Sequence, residues 1–303
     1  MNLVNPSIFM AVVYLSFGFE GSGAEAEEIG DPGSQFAAHI EELLANMTET
    51  KYQGLTEIDE ETGSLKCDCS GLIGHMLRHH FPEAYVSLDG EEAPWRKRPV
   101  AVTFYETFVV AEDDANLEGP WERVREMMDV RPGDILAWRK VTVEQGDSSG
   151  HVLMIAGFPE EERDDRIRVR VIDSTRGVHA NDTRAEGILG VGAGDMWFTV
   201  DRDGEPNGFY VNEKSRLNTV SKVAIGRIVE AGVADISENQ LDSEDLDYIR
   251  MKESAAMDLA KERGLESRVI VNDGEIFPVK MGLTNERVNF VIKRGRVVRV
   301  VRG

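Results

Sequence analysis

Few residues in this chain can do covalent chemistry: it has two cysteines, Cys67 and Cys69, and six histidines. A thiol attacks a carbonyl as the thiolate, so a hydrolytic cysteine needs a local positive field and a base within hydrogen-bond reach. Cys69 begins a stretch, ending at Phe81, with apolar residues at Leu72, Ile73, Met76 and Leu77, and Asp68 or Ser70 can cap its start. That spacing predicts a helix with Cys69 at its N-terminus, where unpaired N–H groups favour a negative sulfur. His151 opens an apolar run to Phe158 that reads as a strand and can supply the base. Asp173 closes the next strand, in Val171-Ile172-Asp173-Ser174, and can orient the imidazole. His179, in the following loop, is a second candidate for that third position. The Cys69 backbone N–H is the natural oxyanion donor.

Two other readings use the same residues. A cysteine on an apolar helix is commonly inert core, but a His and an Asp on successive strands downstream favour the catalytic reading. Zinc could draw on Cys67, Cys69, His75 and His79. Its geometry is poor: C-x-C is tighter than the usual spacing, and the histidines lie about 9 and 15 Å along the helix axis from Cys69. Neither metal nor cofactor is expected. Cysteines one residue apart also cannot staple distant parts of a fold.

Asp68-Cys69-Ser70-Gly71-Leu72, then Arg131-Pro132-Gly133-Asp134-Ile135-Leu136-Ala137-Trp138, then Gly150-His151-Val152 resembles the NlpC-type papain-like cysteine peptidases, enzymes that cut peptidoglycan stem peptides. The likeness runs roughly from Gln35 to Arg227, with Cys before His as in the peptidases of that group. It implies a papain-like helix-plus-antiparallel-sheet domain in which Cys69 is the nucleophile, His151 the base and Asp173 the third residue. Tyr52, Ser70 and His179 are then the candidate substrate contacts. A catalytically inactive binding or protease-inhibitor protein, or a thiol amidase or acyltransferase on a non-wall substrate, are the alternatives.

Several elements must position these residues. Phe36, Ala37, Ile40, Leu43, Leu44 and Met47 predict a first helix headed by Ser34, and residues 53–66 read as a loop. Segments 101–111 and 121–128 read as helical or mixed. Strands are expected at 135–138, 166–172, 195–200, 209–211 and 224–228, which makes an α+β pattern of helices first and sheet after. Residues 234–249, rich in Asp and Glu, read as a linker. A final module, 250–303, is expected to hold a helix at 254–263, a strand at 268–271 and two β-rich runs around Gly295.

The net charge of −21 excludes a basic nucleic-acid binder, and 41% hydrophobic residues suffice for about two domains, here 27–233 and 250–303. The uncharged run Ile8 to Phe19, followed by small residues to Ala26, is too short to span a bilayer and reads as a signal peptide over 1–26, hence export to the periplasm or medium. From Arg250 onward there are 12 Lys/Arg against 7 Asp/Glu, a module of +5 tethered to a remainder of −26. Such opposite charges predict contact between the two, with the module limiting access to Cys69. This module resembles the potato type I (eglin-like) protease inhibitors, a small α/β fold: Pro278-Val279-Lys280-Met281-Gly282-Leu283 stands at the binding loop and Asn285-Glu286-Arg287-Val288-Asn289-Phe290 at the supporting strand. The resemblance implies a scissile bond after Met281 and Arg287 bracing the loop beneath it. The partners in view are therefore a peptide substrate and, for the module, either a protease or the chain's own main domain.

Overall fold

Asp31 sets the first boundary of the fold, because its carboxylate accepts from the N–H groups of Gly33 and Ser34 at 3.1 and 3.4 Å while Pro32 supplies a pre-set φ at the first helical position. The helix α1 (Pro32–Ala45) thus starts before Ser34, the expected cap, and buries Phe36, Ala37, Ile40 and Leu43. In this computed structural model the described residues are 31–88, 98–111, 119–140, 148–162, 166–218, 222–229, 243–273, 275–277, 286–293 and 295–302. The expected signal peptide, most of the acidic linker, and Lys280, Met281 and Gly282 of the inhibitor-like loop lie outside them.

Next come β1 (Glu49–Tyr52), β2 (Glu57–Asp59) and β3 (Ser64–Cys67), then α2 (Cys69–His80), α3 (Pro82–Val86) and α4 (Ala101–Val110). The expected loop 53–66 therefore contains β2 and most of β3, strands too short to show a period; β3 sits between β1, parallel, and β2, antiparallel. The main sheet takes β4 (Trp121–Val124), β5 (Ile135–Arg139), β6 (Gly150–Ile155), β7 (Glu160–Glu162), β8 (Arg166–Thr175), β9 (Gly190–Val200), β10 (Pro206–Tyr210) and β11 (Lys222–Ile228). It has eight antiparallel strands, in the order β10-β9-β8-β6-β5-β11-β4 with β7 on β8. The segment read as helical or mixed from Trp121 is a strand followed by a 3-10 turn, because β11 offers it an edge to pair with.

Alternation along the strands divides the apolar side chains between two faces. Ile135, Ala137, Val152, Met154, Ile172 and Ala224 join the helices in one core, while Leu136, Leu153, Ile155, Val169, Val171 and Ile225 form a second with Met196, Phe198 and Phe209. At the start of β5, Arg227 grips Asp134 with two bonds of 2.8 Å, tying the Pro-Gly-Asp turn to β11.

α5 (Ser243–Leu246) and α6 (Glu253–Glu262) lead to a third sheet of β12 (Glu266–Asn272), β13 (Glu275–Ile276), β14 (Arg287–Lys293) and β15 (Arg296–Arg302). Residues 243–249, expected in the linker, are folded, with Leu246, Tyr248 and Ile249 buried. Apolar residues spaced among the acids of that stretch were the overlooked signal. The C-terminal unit and the main domain share one core that runs from Phe36 and Leu77 to Tyr248, Phe290 and Val300. Arg250 donates to the Leu88 carbonyl at 2.8 Å, Arg78 to that of Leu246 at 3.0 Å, and Lys293 pairs with Glu83 at 3.0 Å. These contacts sit at the C-terminal end of α2 and on α3, with Arg78 about 14 Å along the helix from Cys69. The described residues of the unit therefore dock at the end of α2 away from the cysteine, through a shared apolar core with the Lys293–Glu83 ion pair beside it, whereas the charge-based expectation placed the unit over Cys69. Mixed α and β structure in three sheets is the result, and among the described residues no helix is long and apolar enough to cross a membrane.

Candidate active site

Asp68 caps α2 with a 2.8 Å bond from the Gly71 N–H, which leaves Cys69 as the first helical residue. The first-turn N–H groups have no acceptor within the helix, and the positive end of the helix dipole lies at Cys69. Cys69 is 6% exposed, enough for reaction with a slender substrate and too little for bulk water to screen the site. Two residues earlier, Cys67 is fully buried at the end of β3, and burial pushes its thiol up to about 12. Its neighbourhood is structural, since the Ser174 hydroxyl donates to the Cys67 carbonyl at 2.7 Å.

His151 is the second residue of β6, directly after Gly150, whose φ of +154° and whose missing Cβ, 1.9 Å from the Trp138 carbonyl oxygen, exclude any other residue. β6 pairs with β8 only through Met154–Ile172 and Ile155–Val171. Beyond that short ladder His151 Nε2 meets Asp173 Oδ2 at 2.7 Å. The Cys69 sulfur lies close enough to the ring to raise its pKa, and because Asp173 takes Nε2, Nδ1 is the ring nitrogen left for sulfur. Burial pulls the His151 pKa down, but the Cys69 sulfur and the hydrogen bond with Asp173 raise it further, to about 10. Trp138 lies against the ring, with centroids 4.7 Å apart, and restricts its swing.

Asp173 is fully buried. Burial pushes its carboxyl up, yet hydrogen bonds from His151 and His179 outweigh this and hold it well below the usual carboxylate range. The same oxygen, Oδ2, accepts from His179 Nε2 at 3.0 Å, and His179 Nδ1 faces the Val211 carbonyl at 3.2 Å. His179 is thus placed behind Asp173 and buried, not toward a substrate. Deeper still, Arg184 grips Asp182 through bonds of 2.6 and 2.8 Å, and the Asp182 carboxylate accepts from the His179 N–H at 2.9 Å. Arg184 Nη1 is 3.9 Å from Asp173 Oδ1, an oxygen with no hydrogen-bond partner.

The other predicted residues lie around this chain. Ser70, a candidate substrate contact, is buried and engaged: it accepts from Arg98 at 2.7 Å and donates to Asp68 at 3.2 Å, so its hydroxyl serves the helix cap. Tyr52 ends β1 in register with Cys67, and the Arg176 guanidinium lies 4.8 Å from its ring centre. Arg287, at the start of β14, pairs with Glu266 at 3.2 Å. Sequence reasoning missed Arg98, Arg184 and Asp182; a polar residue far along the chain carries no spacing signal that would link it to Cys69.

A histidine group lies at the opposite end of α2. Burial lowers both His79 and His80 to about 4, with the neighbouring histidines adding repulsion, and Glu60 is held low by its bond with His75. Cys67 and Cys69 take no part in it. The core chemistry of the site is a sulfur, an imidazole and a carboxylate in series at a helix N-terminus, fitted for nucleophilic attack on a carbonyl followed by proton delivery to the leaving group. No family model, curated protein or solved structure matches the chain.

Proposed function

We propose that the chain is a thiol-dependent amide hydrolase of the NlpC-type, papain-like kind, acting on a peptide of the peptidoglycan stem class in an exported setting. The observation that carries this reading is Cys69 at the N-terminus of α2 beside the His151 ring, with Nε2 of that ring bonded to Asp173, buried and ionised behind it. With a pKa of about 10, His151 keeps its proton at neutral pH and can stabilise a negative sulfur beside it. Sulfur attacks the amide carbon, the Cys69 backbone N–H takes the oxyanion, and His151 Nδ1 passes its proton to the departing amine. Water then cleaves the thioester with His151 as base. Asp173 holds the ring in place and favours its charged form throughout. The C-terminal unit, in this reading an eglin-like fold, serves as a docked structural or partner-binding module.

Incubation of purified peptidoglycan with the protein, followed by mass spectrometry of the muropeptides, tests the proposal. Stem peptides shortened by wild type and left whole by Cys69→Ala are expected. Identical muropeptide profiles for both proteins would reject the wall substrate, and hydrolysis persisting in Cys69→Ala would reject the thiol mechanism.

A further inference from the structure

Four of the six histidines gather on the far half of α2 and the adjoining face of α1. His75 and His79 are one helical turn apart with ring centroids at 3.9 Å, and His80 stacks on His39 at 3.8 Å, the rings 15° from parallel. Groups that can all become cations are poor neighbours for folding alone. Opposite the His75–His79 pair stands Glu60, on the turn joining β2 to β3, with its Oε1 2.8 Å from His75 Nε2. One ligand-type atom from each of Glu60, His75 and His79 falls within 4.8 Å of the other two. His79 Nδ1 donates to the His75 carbonyl at 2.8 Å. That bond fixes the tautomer and leaves a bare lone pair on Nε2, the arrangement in which metal-binding imidazoles are held, with the other N–H on a backbone carbonyl.

We propose that Glu60, His75 and His79 form a binding site for a divalent transition metal, with zinc the best match and one coordination position open to solvent. Two imidazoles and a carboxylate suit zinc, whereas calcium and magnesium prefer all-oxygen shells. Ligand bonds of about 2.0–2.2 Å to a tetrahedral ion need donor atoms roughly 3.4 Å apart. Closing the 4.8 Å spread therefore takes a shift of little more than 1 Å, and the half-exposed Glu60, at 46% side-chain exposure, is free to make it. His75 is 14% exposed, so the open position faces water rather than the core. The ion would staple the β2–β3 turn to the middle of α2, six residues past Cys69 and about 9 Å along the helix. It is thus a site separate from the sulfur, and it stands or falls independently of the hydrolase reading.

Isothermal titration with zinc chloride near pH 7.5, on the full-length Cys69→Ala protein so that the site's sulfur cannot compete, tests the proposal. The expected result is about one zinc per chain at micromolar affinity or tighter, weakened at least about tenfold by His79→Ala and by Glu60→Ala. Cobalt in place of zinc should give visible absorption of a nitrogen–oxygen shell without a thiolate charge-transfer band. Failure to bind at about 100 μM zinc would overturn the proposal, as would binding undiminished in the His75→Ala/His79→Ala double variant, or a strong thiolate band with cobalt. Metal-free circular dichroism identifies any variant that has lost its fold; Glu60 sits on an exposed turn, so the Glu60→Ala titration then decides.

Discussion

Replacing Asp173 by alanine should move the titration of His151, and the size of the movement follows from the contacts. The 2.7 Å bond from Nε2 ends on a fully buried carboxylate, and a hydrogen bond to a charged group contributes about 1.5–3 kcal/mol. At about 1.4 kcal/mol per unit, its loss lowers the imidazolium pKa by roughly 1–2 units from its value of about 10. Alkylation of Cys69 by iodoacetamide reads this without any assumption about substrate. The rate against pH should show an upper inflection near 10 in wild type, where His151 gives up its proton and the sulfur loses its ion partner. The same inflection should fall to roughly 8–9 in Asp173→Ala. Tandem mass spectrometry assigns the label, and Cys67, buried with its thiol pushed up to about 12, should stay unmodified. An inflection that does not move in Asp173→Ala would refute the claim that Asp173 sustains the His151 charge. A profile dominated by Cys67 would refute the assignment of the nucleophile itself.

Hydrolysis should fall most in Cys69→Ala and His151→Ala, less in Asp173→Ala and least in His179→Ala, by on the order of 10- to 100-fold for Asp173; steady-state rates on one peptide give the order, and a silent Asp173→Ala with a damaging His179→Ala would reverse the two roles. Gly71→Ala should destabilise the fold by about 1–3 kcal/mol in urea titration, since a Cβ there would come within 2.4 Å of Thr56 Oγ1 and 3.1 Å of the Cys67 Cβ; an unchanged midpoint would mean that the turn around Thr56 yields. With chelator present, stability should be full above about pH 6.5 and decline as pH falls toward 4, because His79 and His80 are held neutral in the fold and charge when unfolded, at a cost of up to about 3 kcal/mol each. Glu60 adds to the loss in the same direction, whereas His151 contributes stability that fades only as pH rises toward about 10; a urea midpoint flat from about pH 7 to 4.5 would contradict the burial of the pair. A chain ending at Val229 should lose stability rather than gain turnover, since the shared core would shed several apolar side chains of about 1.5–3 kcal/mol each, and a stable, faster truncation product would restore the gating role.

Cys69, His151 and Asp173 were legible because each sits near a change of local pattern: the first residue of an apolar helix, the second of an apolar strand, and the third from the end of an alternating one. Such signals depend on neighbours in sequence. Arg98 and Arg184 were not legible, because what makes them matter is contact with Asp68 and Asp182 inside a folded network rather than any period along the chain. The i, i+4 spacing of His75 and His79 is visible in the sequence, but Glu60 sits on a turn fifteen residues before His75, with no period that links it to the pair. β1, β2 and β3 escaped for a related reason: strands of three or four residues carry too few alternations to stand out. In the acidic run, six carboxylates outweighed Leu246, Tyr248 and Ile249, although those three side chains decide where the segment packs. Opposite net charges pointed to contact between the two units, but only the folded arrangement reveals that an apolar core carries most of it and at which end of α2 it falls.

The position of β11 between β4 and β5 bears on how the chain is made. Those two strands precede β11 by a long stretch of sequence, and each pairs with it rather than with the other. During synthesis both therefore wait with open edges while the intervening sheet is produced, roughly 4–16 s at 5–20 residues per second. Any ribosomal pause between Arg139 and Lys222 prolongs that wait, and an exposed edge invites pairing with another nascent chain. Recombinant yield should accordingly respond to codon choice across this interval and to chaperones that shield unpaired strands, more than to codon choice after Ile228.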